Sequence, residues 1–427
     1  MFQLKLKEAN KNEPVSQRVG ESAKDKDLID LQQNPICFWI DSSGGPIHLC
    51  NHSIQGANPK YYLYGSLNGV NLHECENGAI TFANENCFDF LEEKINEEKQ
   101  NKNGIFVGYI AYDLFRGEIK NDYPDFFFAY FENVIASEDC FTNTDTPTGR
   151  LSSLAHNDVL HSNMTDHEYL EKVTQIKEEI KAGNVYQANL TREYFIQNTN
   201  SLDETDLYLK LREVSPNPYG CFFKTPFLSI LSSSPEEFLY LELKDSGRYI
   251  RTRPIKGTMP KDIFEIDPKN QAENIMIVDL ERNDLGRICE YGTIQAKKLL
   301  EIESYKHLNH VVSTIEGKLK PDVSLKNIFS AVFPGGSITG APKIAAMKII
   351  DRIEPTKRGA YTGSFGYIKT DGTMNFNILI RTVFIHDGKI SFNVGGGIIA
   401  DSDPKAELEE IKLKAKGIMD ALGIEKC

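Results

Sequence analysis

Lys256 stands in the segment Arg253-Pro254-Ile255-Lys256-Gly257-Thr258. Pro and Gly-Thr predict a stiff turn around it, and a primary amine held that way can attack an electrophile. A lysine in an exposed turn would carry the same residues, so its neighbours must decide. Near the C-terminus Glu407 and Glu410 are three positions apart, with Lys414 four further on. On a helix this spacing puts all three on one stripe. Oxygen donors of this kind suit Mg²⁺, which takes one or two carboxylates plus substrate oxygens. The same spacing also fits an exposed Glu410–Lys414 ion pair, worth about 0.3–0.5 kcal/mol.

Other segments add acids, glycines and a guanidinium. Glu236 follows the apolar run Phe227–Leu231 and Ser232-Ser233-Ser234-Pro235, where a strand should break and leave a poised carboxyl. Asp267-Pro268 reads as a helix cap, placing Glu273 in the second turn of a mostly apolar helix that also carries Asp279. A buried acid there needs a partner or a metal, whereas an exposed one needs neither. Pro334-Gly335-Gly336-Ser337-Ile338-Thr339-Gly340 leads toward a helix at Ala341-Pro342-Lys343, and such glycines can offer N–H groups to an anion or simply turn the chain. Ala341 stands where a Walker A loop needs Lys, which argues against nucleotide. Phe376, Ile378, Ile380, Thr382 and Phe384 alternate as one strand with Arg381 on its other face, and Asp387-Gly388 signals a type I′ hairpin. That register brings Arg381 beside Gly395-Gly396-Gly397, a setting for carboxylate recognition or for a bulge with a surface arginine.

Two helices and several strands must position these groups. Asp403 caps and Pro404 opens a C-terminal helix whose apolar stripe is Leu408, Ile411, Ala415, Ile418 and Leu422. Thr165-Asp166-His167-Glu168 matches a capping box, followed by Tyr169, Val173, Ile176 and Ile180, and closed by Gly183. Ile36–Ile40, Tyr61–Tyr64 and Ile105–Ile110 read as buried strands. The polar stretch 141–163 predicts a boundary between an N-terminal β-rich region, 1–150, and a catalytic domain, 163–427. Strands and helices intermix without βαβ alternation, which predicts a layered α+β fold.

The bulk numbers exclude some classes. At 427 residues with a formal charge of −13, the chain is poorly suited to nucleic acid, because phosphate affinity comes from lysine and arginine. No run of apolar residues is long enough for a membrane helix, and the first residues lack a signal-peptide core. The eight cysteines form no Cys-x-x-Cys pair, so a reduced, cytoplasmic setting is expected.

Taken together, Pro254–Thr258, Glu273–Gly286, Pro334–Lys343, Arg358–Gly363, Ile380–Thr382 and Gly395–Asp403 resemble the motifs of the chorismate-utilising enzymes. The likeness runs from about residue 163 to the C-terminus, with a weaker echo at Phe106–Asp113. It implies an anthranilate synthase component I-like fold, layered α/β/β/α, with two packed antiparallel sheets and outer helices. Lys256 resembles the aminodeoxychorismate synthases of the p-aminobenzoate and folate branch, whereas anthranilate synthase large subunits usually carry Ala there. Isochorismate and salicylate synthases use a water-activating lysine at the position matching Gln187, and an amide cannot act as that base.

The resemblance also implies roles. Glu273 and Glu410 would ligate Mg²⁺, with Glu407 in its shell. Tyr361, Arg381 and Gly395, Gly396 and Gly397 would bind the enolpyruvyl carboxylate of chorismate, and Gly257, Thr258, His310, Ser337 and Lys414 would complete the pocket. Lys256 would attack the ring while Glu236 protonates the leaving hydroxyl. Ammonia would come from a separate glutamine amidotransferase subunit. Some relatives bind tryptophan beside a segment like Ser215-Pro216-Asn217-Pro218-Tyr219, which keeps tryptophan as a candidate ligand. Anthranilate synthase and a catalytically idle tryptophan-binding regulator are the alternatives.

Overall fold

The computed structural model describes residues 33–46, 48–49, 53–116, 121–137, 159–197, 202–306 and 308–424. Positions 141–158 of the expected boundary lie outside the described residues. Two large sheets form the centre, with antiparallel pairing between their neighbouring strands. The first contains β1 (Cys37–Asp41), β2 (Ser53–Ala57), β8 (Ile135–Ser137), β9 (His161–Ser162), β10 (Gln187–Ile196), β11 (Tyr219–Lys224), β12 (Ser229–Ser234), β18 (Gly340–Ala341), β21 (Thr382–His386) and β22 (Lys389–Ile398). The second contains β3 (Tyr61–Ser66), β4 (Gly69–Glu74), β5 (Ile80–Ala83), β6 (Ile105–Ile110), β7 (Phe126–Phe131), β13 (Glu237–Lys244), β14 (Gly247–Arg253), β15 (Ile255–Pro260), β16 (Gln295–Ser304), β17 (Leu308–Lys318), β19 (Ser364–Lys369) and β20 (Met374–Asn377). Strands from before residue 140 are hydrogen-bonded into both sheets: β1 pairs with β11, and β6 with β19.

The layering follows from side-chain alternation. In β7, Phe127, Ala129 and Phe131 enter the same core as Phe38, Phe223 and Phe384 of the opposite sheet. Phe126, Phe128 and Tyr130 face the other way, toward Phe88 of α1 (Cys87–Glu97) and Phe329 of α5 (Leu325–Val332). A third cluster packs Trp39, Leu190, Phe222 and Leu231 under α2 (Asp166–Lys181), α3 (Glu204–Val214), α6 (Lys343–Ile353) and α7 (Pro404–Leu422). With α4 (Pro268–Gly286) contributing Val278 and Leu285 to the α1–α5 side, the order is helices, sheet, sheet, helices. Each fully buried aromatic contributes about 1.5–3 kcal/mol, so aromatic runs such as Phe126–Phe131 are the main cement.

The caps expected from sequence are present. Thr165 and Glu168 form the reciprocal capping box of α2, and Asp403 accepts from Ala406 N–H to start α7. Leu408, Ile411, Ala415, Ile418 and Leu422 are all buried.

Three local expectations need correction. Residues 376–384 are two strands, not one: β20 belongs to one sheet and β21 to the other, and the chain crosses between them at 378–381. Lys256 lies in β15 rather than in a turn, at a bulge opposite β17 where the register slips between Ile255 and Thr258. Gly340 and Ala341 pair with Ala188 and Gln187 of β10 before α6 opens at Lys343, so the glycines of 335–340 do not supply that helix's first amides.

Candidate active site

The bulge in β15 aims Lys256. Gly257 adopts φ +97°, and a Cβ there would sit 3.0 Å from Asn270 Cγ, so a side chain would be both strained and crowded. Lys256 is half-buried, and its Nζ donates to the Ser337 carbonyl oxygen at 2.7 Å. Burial holds its pKa below the ordinary lysine value; the charges of Glu273 and Glu236 oppose that drop, and Lys414 adds to it.

Glu236 sits where the chain leaves β12 in one sheet and enters β13 in the other, as the Ser-Ser-Ser-Pro break predicts. It is buried, and its Oε1 accepts from the Ile255 N–H at 3.3 Å. Burial raises its pKa, while the Ser337 side chain and the charges of Lys256 and Arg381 pull it down. Burial of the carboxyl therefore favours its protonated form, the form a general acid needs.

Arg381 lies on the crossing between β20 and β21, at φ +52°. Its guanidinium makes no hydrogen bond or ion pair among the described residues, although burial lowers its pKa. A half-buried cation without a partner suits an incoming anion. Asp387 and Gly388 both have positive φ, and His386 pairs with Lys389, as the hairpin signal requires. The pairing Val383↔Phe392 sets the register of this hairpin, and Arg381 lies just before β21 begins at Thr382.

In β22, Gly395, Gly396 and Gly397 pair with Thr191, Leu190 and Asn189 of β10. A Cβ on Gly397 would fall 2.1 Å from Gln187 Nε2, whereas one on Gly396 would meet Glu407 Oε2 at 3.4 Å. Lys414 donates to the Gly395 carbonyl at 3.0 Å, which ties α7 to this strand.

The three acids proposed as metal ligands differ in setting. Glu273 is half-buried in α4, and its pKa is raised by burial, lowered by Lys256 and Lys269, and raised again by Glu407 and Glu410. Glu407 is buried, accepts from Ser402 Oγ at 2.6 Å and lies 3.6 Å from Lys269 Nζ. Glu410 is exposed and held by Lys414 at 2.8 Å, which lowers its pKa. No three such acids lie close enough to hold an ion by themselves among the described residues. Mutual repulsion among carboxylates on α4 and α7 still fits an oxygen-ligated cation that takes its remaining ligands from substrate and water.

Thr258 and His310 face each other across β15 and β17, with Thr258 Oγ1 3.1 Å from His310 Nδ1. Burial, and then the charge of Arg381, push His310 down to about 3, so this ring is neutral. Tyr361 is buried at the core between the sheets, next to the Arg358 turn. Ser337 meets Lys256 through its main chain and borders Glu236 with its hydroxyl.

Two acids escaped the sequence reading: α4 runs to Gly286 and buries Glu281 and Asp284. Asp279 is exposed and pairs with Arg282. Glu281 continues the apolar stripe Ile277, Val278 and Leu285 at helical spacing, which is the signal that could have found it.

Comparison with known proteins agrees with this architecture. The sequence profile of the family described as chorismate binding enzyme matches residues 66–420. The chain is 41% identical over 266 residues to an anthranilate synthase component I-like protein of Synechocystis sp., covering 60% of this chain and 54% of that one. It therefore spans about half the length of that relative. Aminodeoxychorismate synthase component 1 of Bacillus subtilis is 32% identical over 390 residues, covering 79% of this chain and 81% of that one. Among solved structures, anthranilate synthase component I from Streptococcus pneumoniae superposes with a TM-score of 0.72 at 26% identity, covering 86% of this chain and 92% of that one. With the two-sheet fold, the bulge-borne lysine and most of the chain matched, the protein belongs to the chorismate-binding enzyme family.

Proposed function

We propose that the chain is component I of an aminodeoxychorismate synthase, converting chorismate and ammonia to 4-amino-4-deoxychorismate for p-aminobenzoate and folate synthesis. The observation that carries this reading is a half-buried primary amine, Lys256, set in the same electrostatic site as Glu236 and Glu273. The Bacillus subtilis relative, matched over most of both chains, bears that enzyme's name.

In this reading the neutral Lys256 amine attacks ring carbon C2, the ring double bond shifts, and the C4 hydroxyl departs as water with the proton from Glu236. Ammonia then adds at C4, the double bond returns, Lys256 is expelled, and the proton released from nitrogen restores Glu236. Burial supplies both requirements, since it disfavours the charged lysine and the charged glutamate alike. Arg381 and the glycine run of β22 hold the enolpyruvyl carboxylate. Tyr361 lines the same end, and Gly257, Thr258 and His310 shape the wall beside the bulge.

Glu273 and Glu410, with Glu407 behind them, would hold Mg²⁺. Bound there, the ion would neutralise and orient the ring carboxylate. Gln187 cannot activate water, which favours amination over hydroxylation. A glutamine amidotransferase subunit supplies the ammonia, and the site operates in the cytoplasm. Tryptophan remains a candidate ligand at Ser215–Tyr219, where Asn217 Nδ2 donates to the Ser215 and Ser233 carbonyls.

The test is product analysis with chorismate, Mg²⁺ and ammonium. A product that yields p-aminobenzoate only after a lyase is added supports the reading. Anthranilate fluorescence without a lyase would make the chain an anthranilate synthase subunit instead.

A further inference from the structure

Glu354 and Arg358 take no part in the amination scheme, yet their side chains form an ion pair that is 5% and 1% exposed. Glu354 ends α6 as its C-cap, and Arg358 opens the turn that leads to Tyr361. The pair is bidentate, with Arg358 Nη2 donating to Glu354 Oε1 at 2.7 Å and Nε to Oε2 at 2.9 Å. The guanidinium also reaches two main-chain carbonyls that border the Lys256 contact. Nη1 donates to the Ile338 carbonyl at 2.9 Å, directly after the Ser337 carbonyl that accepts from Lys256 Nζ. Nη2 reaches the Asn189 carbonyl at 3.4 Å, and the Asn189 side chain donates to that same Ser337 carbonyl at 3.1 Å. Glu354 Oε1 in turn accepts from the Thr191 N–H at 3.0 Å, which fixes the pair to β10. The Tyr112 ring packs on the guanidinium, 4.7 Å from its centroid.

From this geometry we propose that the Arg358–Glu354 pair positions the Lys256 amine, setting the Ser337 carbonyl through Ile338 on one side and Asn189 on the other. The consequence for turnover rests on the amination reading; the placement of the amine does not. With its side chain 1% exposed, Arg358 acts through the backbone rather than on a substrate, so it is a positioning residue. A guanidinium carries five N–H donors in a fixed plane and can serve the carboxylate and both carbonyls together. A lysine ammonium at this position keeps the ion pair with Glu354 but cannot hold the two carbonyls in the same plane. The loop that carries Ser337 is thereby tied to β10, while Lys256 approaches it from β15 in the other sheet.

Competitive acetylation of lysines on the full, unliganded chain tests the placement without turnover. At pH 10.5, the ordinary lysine value, a depressed amine is mostly neutral, so the rate reads access and restraint rather than charge. Arg358→Lys and Glu354→Gln should each raise the labelling of Lys256 about fivefold against exposed Lys416, the weight of one ordinary hydrogen bond. Lys343 lies just past the same loop, held by Asp284 and the Val332 carbonyl, and should stay as protected as before. In the kinetic arm, Arg358→Lys should lower kcat about tenfold and leave KM for chorismate within about threefold. Unchanged Lys256 labelling in a variant that circular dichroism shows to be folded would overturn the proposal. Equal gains at Lys256 and Lys343 would overturn it too, because they mark general loosening, and so would failure of both variants to fold. Faster Lys256 labelling in a protein that leaves chorismate untouched would keep the positioning role and remove the amination reading instead.

Discussion

Lys256 Nζ donates to the Ser337 carbonyl oxygen at 2.7 Å, joining the bulge in β15 to the glycine loop before β18. This contact fixes the amine while leaving it half-exposed, and it brings the lysine into the field of Glu236 and Glu273.

Removing the amine should abolish chemistry without unfolding the protein. Lys256→Ala should lower ammonia-dependent chorismate consumption at least about 100-fold, or about 2.7 kcal/mol of barrier. Steady-state turnover, with circular dichroism as a fold control, checks it; near-normal turnover would remove the covalent step.

The same residue predicts a pH slope in stability. The folded-state pKa of Lys256 is depressed, so between that value and the unfolded 10.5 the unfolded chain binds more protons. Stability from this site therefore rises with pH across that window and is lost as pH falls through the folded pKa. Lys256→Met should flatten the slope, gaining relative stability on the acid side. Denaturant midpoints at several pH values measure this, and parallel curves for both proteins would contradict it.

Arg381 should act in binding more than in chemistry. Loss of a charge-assisted contact costs about 1.5–3 kcal/mol, so Arg381→Ala should raise KM for chorismate about 10- to 100-fold with a smaller change in kcat. An unchanged KM would mean the guanidinium meets some other anion.

Adjacent glycines in β22 should respond differently. Gly397→Ala puts a methyl 2.1 Å from the buried Gln187 amide, which predicts destabilisation of about 1–3 kcal/mol. Gly396→Ala meets Glu407 at an ordinary 3.4 Å, so it should fold normally and lose chorismate affinity. Thermal unfolding separates the two; equal losses of stability would refute the distinction.

Much of the site was legible because caps, turns and motif residues act locally. Asp403, Asp267 and the Thr165–Glu168 box each start the helix expected of them. The Asp387-Gly388 turn likewise fixes the hairpin register. Sheet membership was not legible, because strands buried on both faces read as continuous apolar runs. Nothing local tells that Phe376 and Phe384 belong to different sheets, since the crossing opens with the apolar run Ile378-Leu379-Ile380. Glu281 was hidden by its cluster: Glu281-Arg282-Asn283-Asp284 looks like a helix end, and only packing against Gly336 and Thr252 shows that the helix continues and buries two acids.

The most direct test of the central claim is intact-protein and peptide mass analysis after incubation with chorismate and Mg²⁺ in the absence of ammonia. The expected result is an adduct equal to chorismate minus water, confined to the peptide containing Lys256, absent from Lys256→Ala and discharged by ammonium. No adduct under any quench, or one located on another residue, would contradict it.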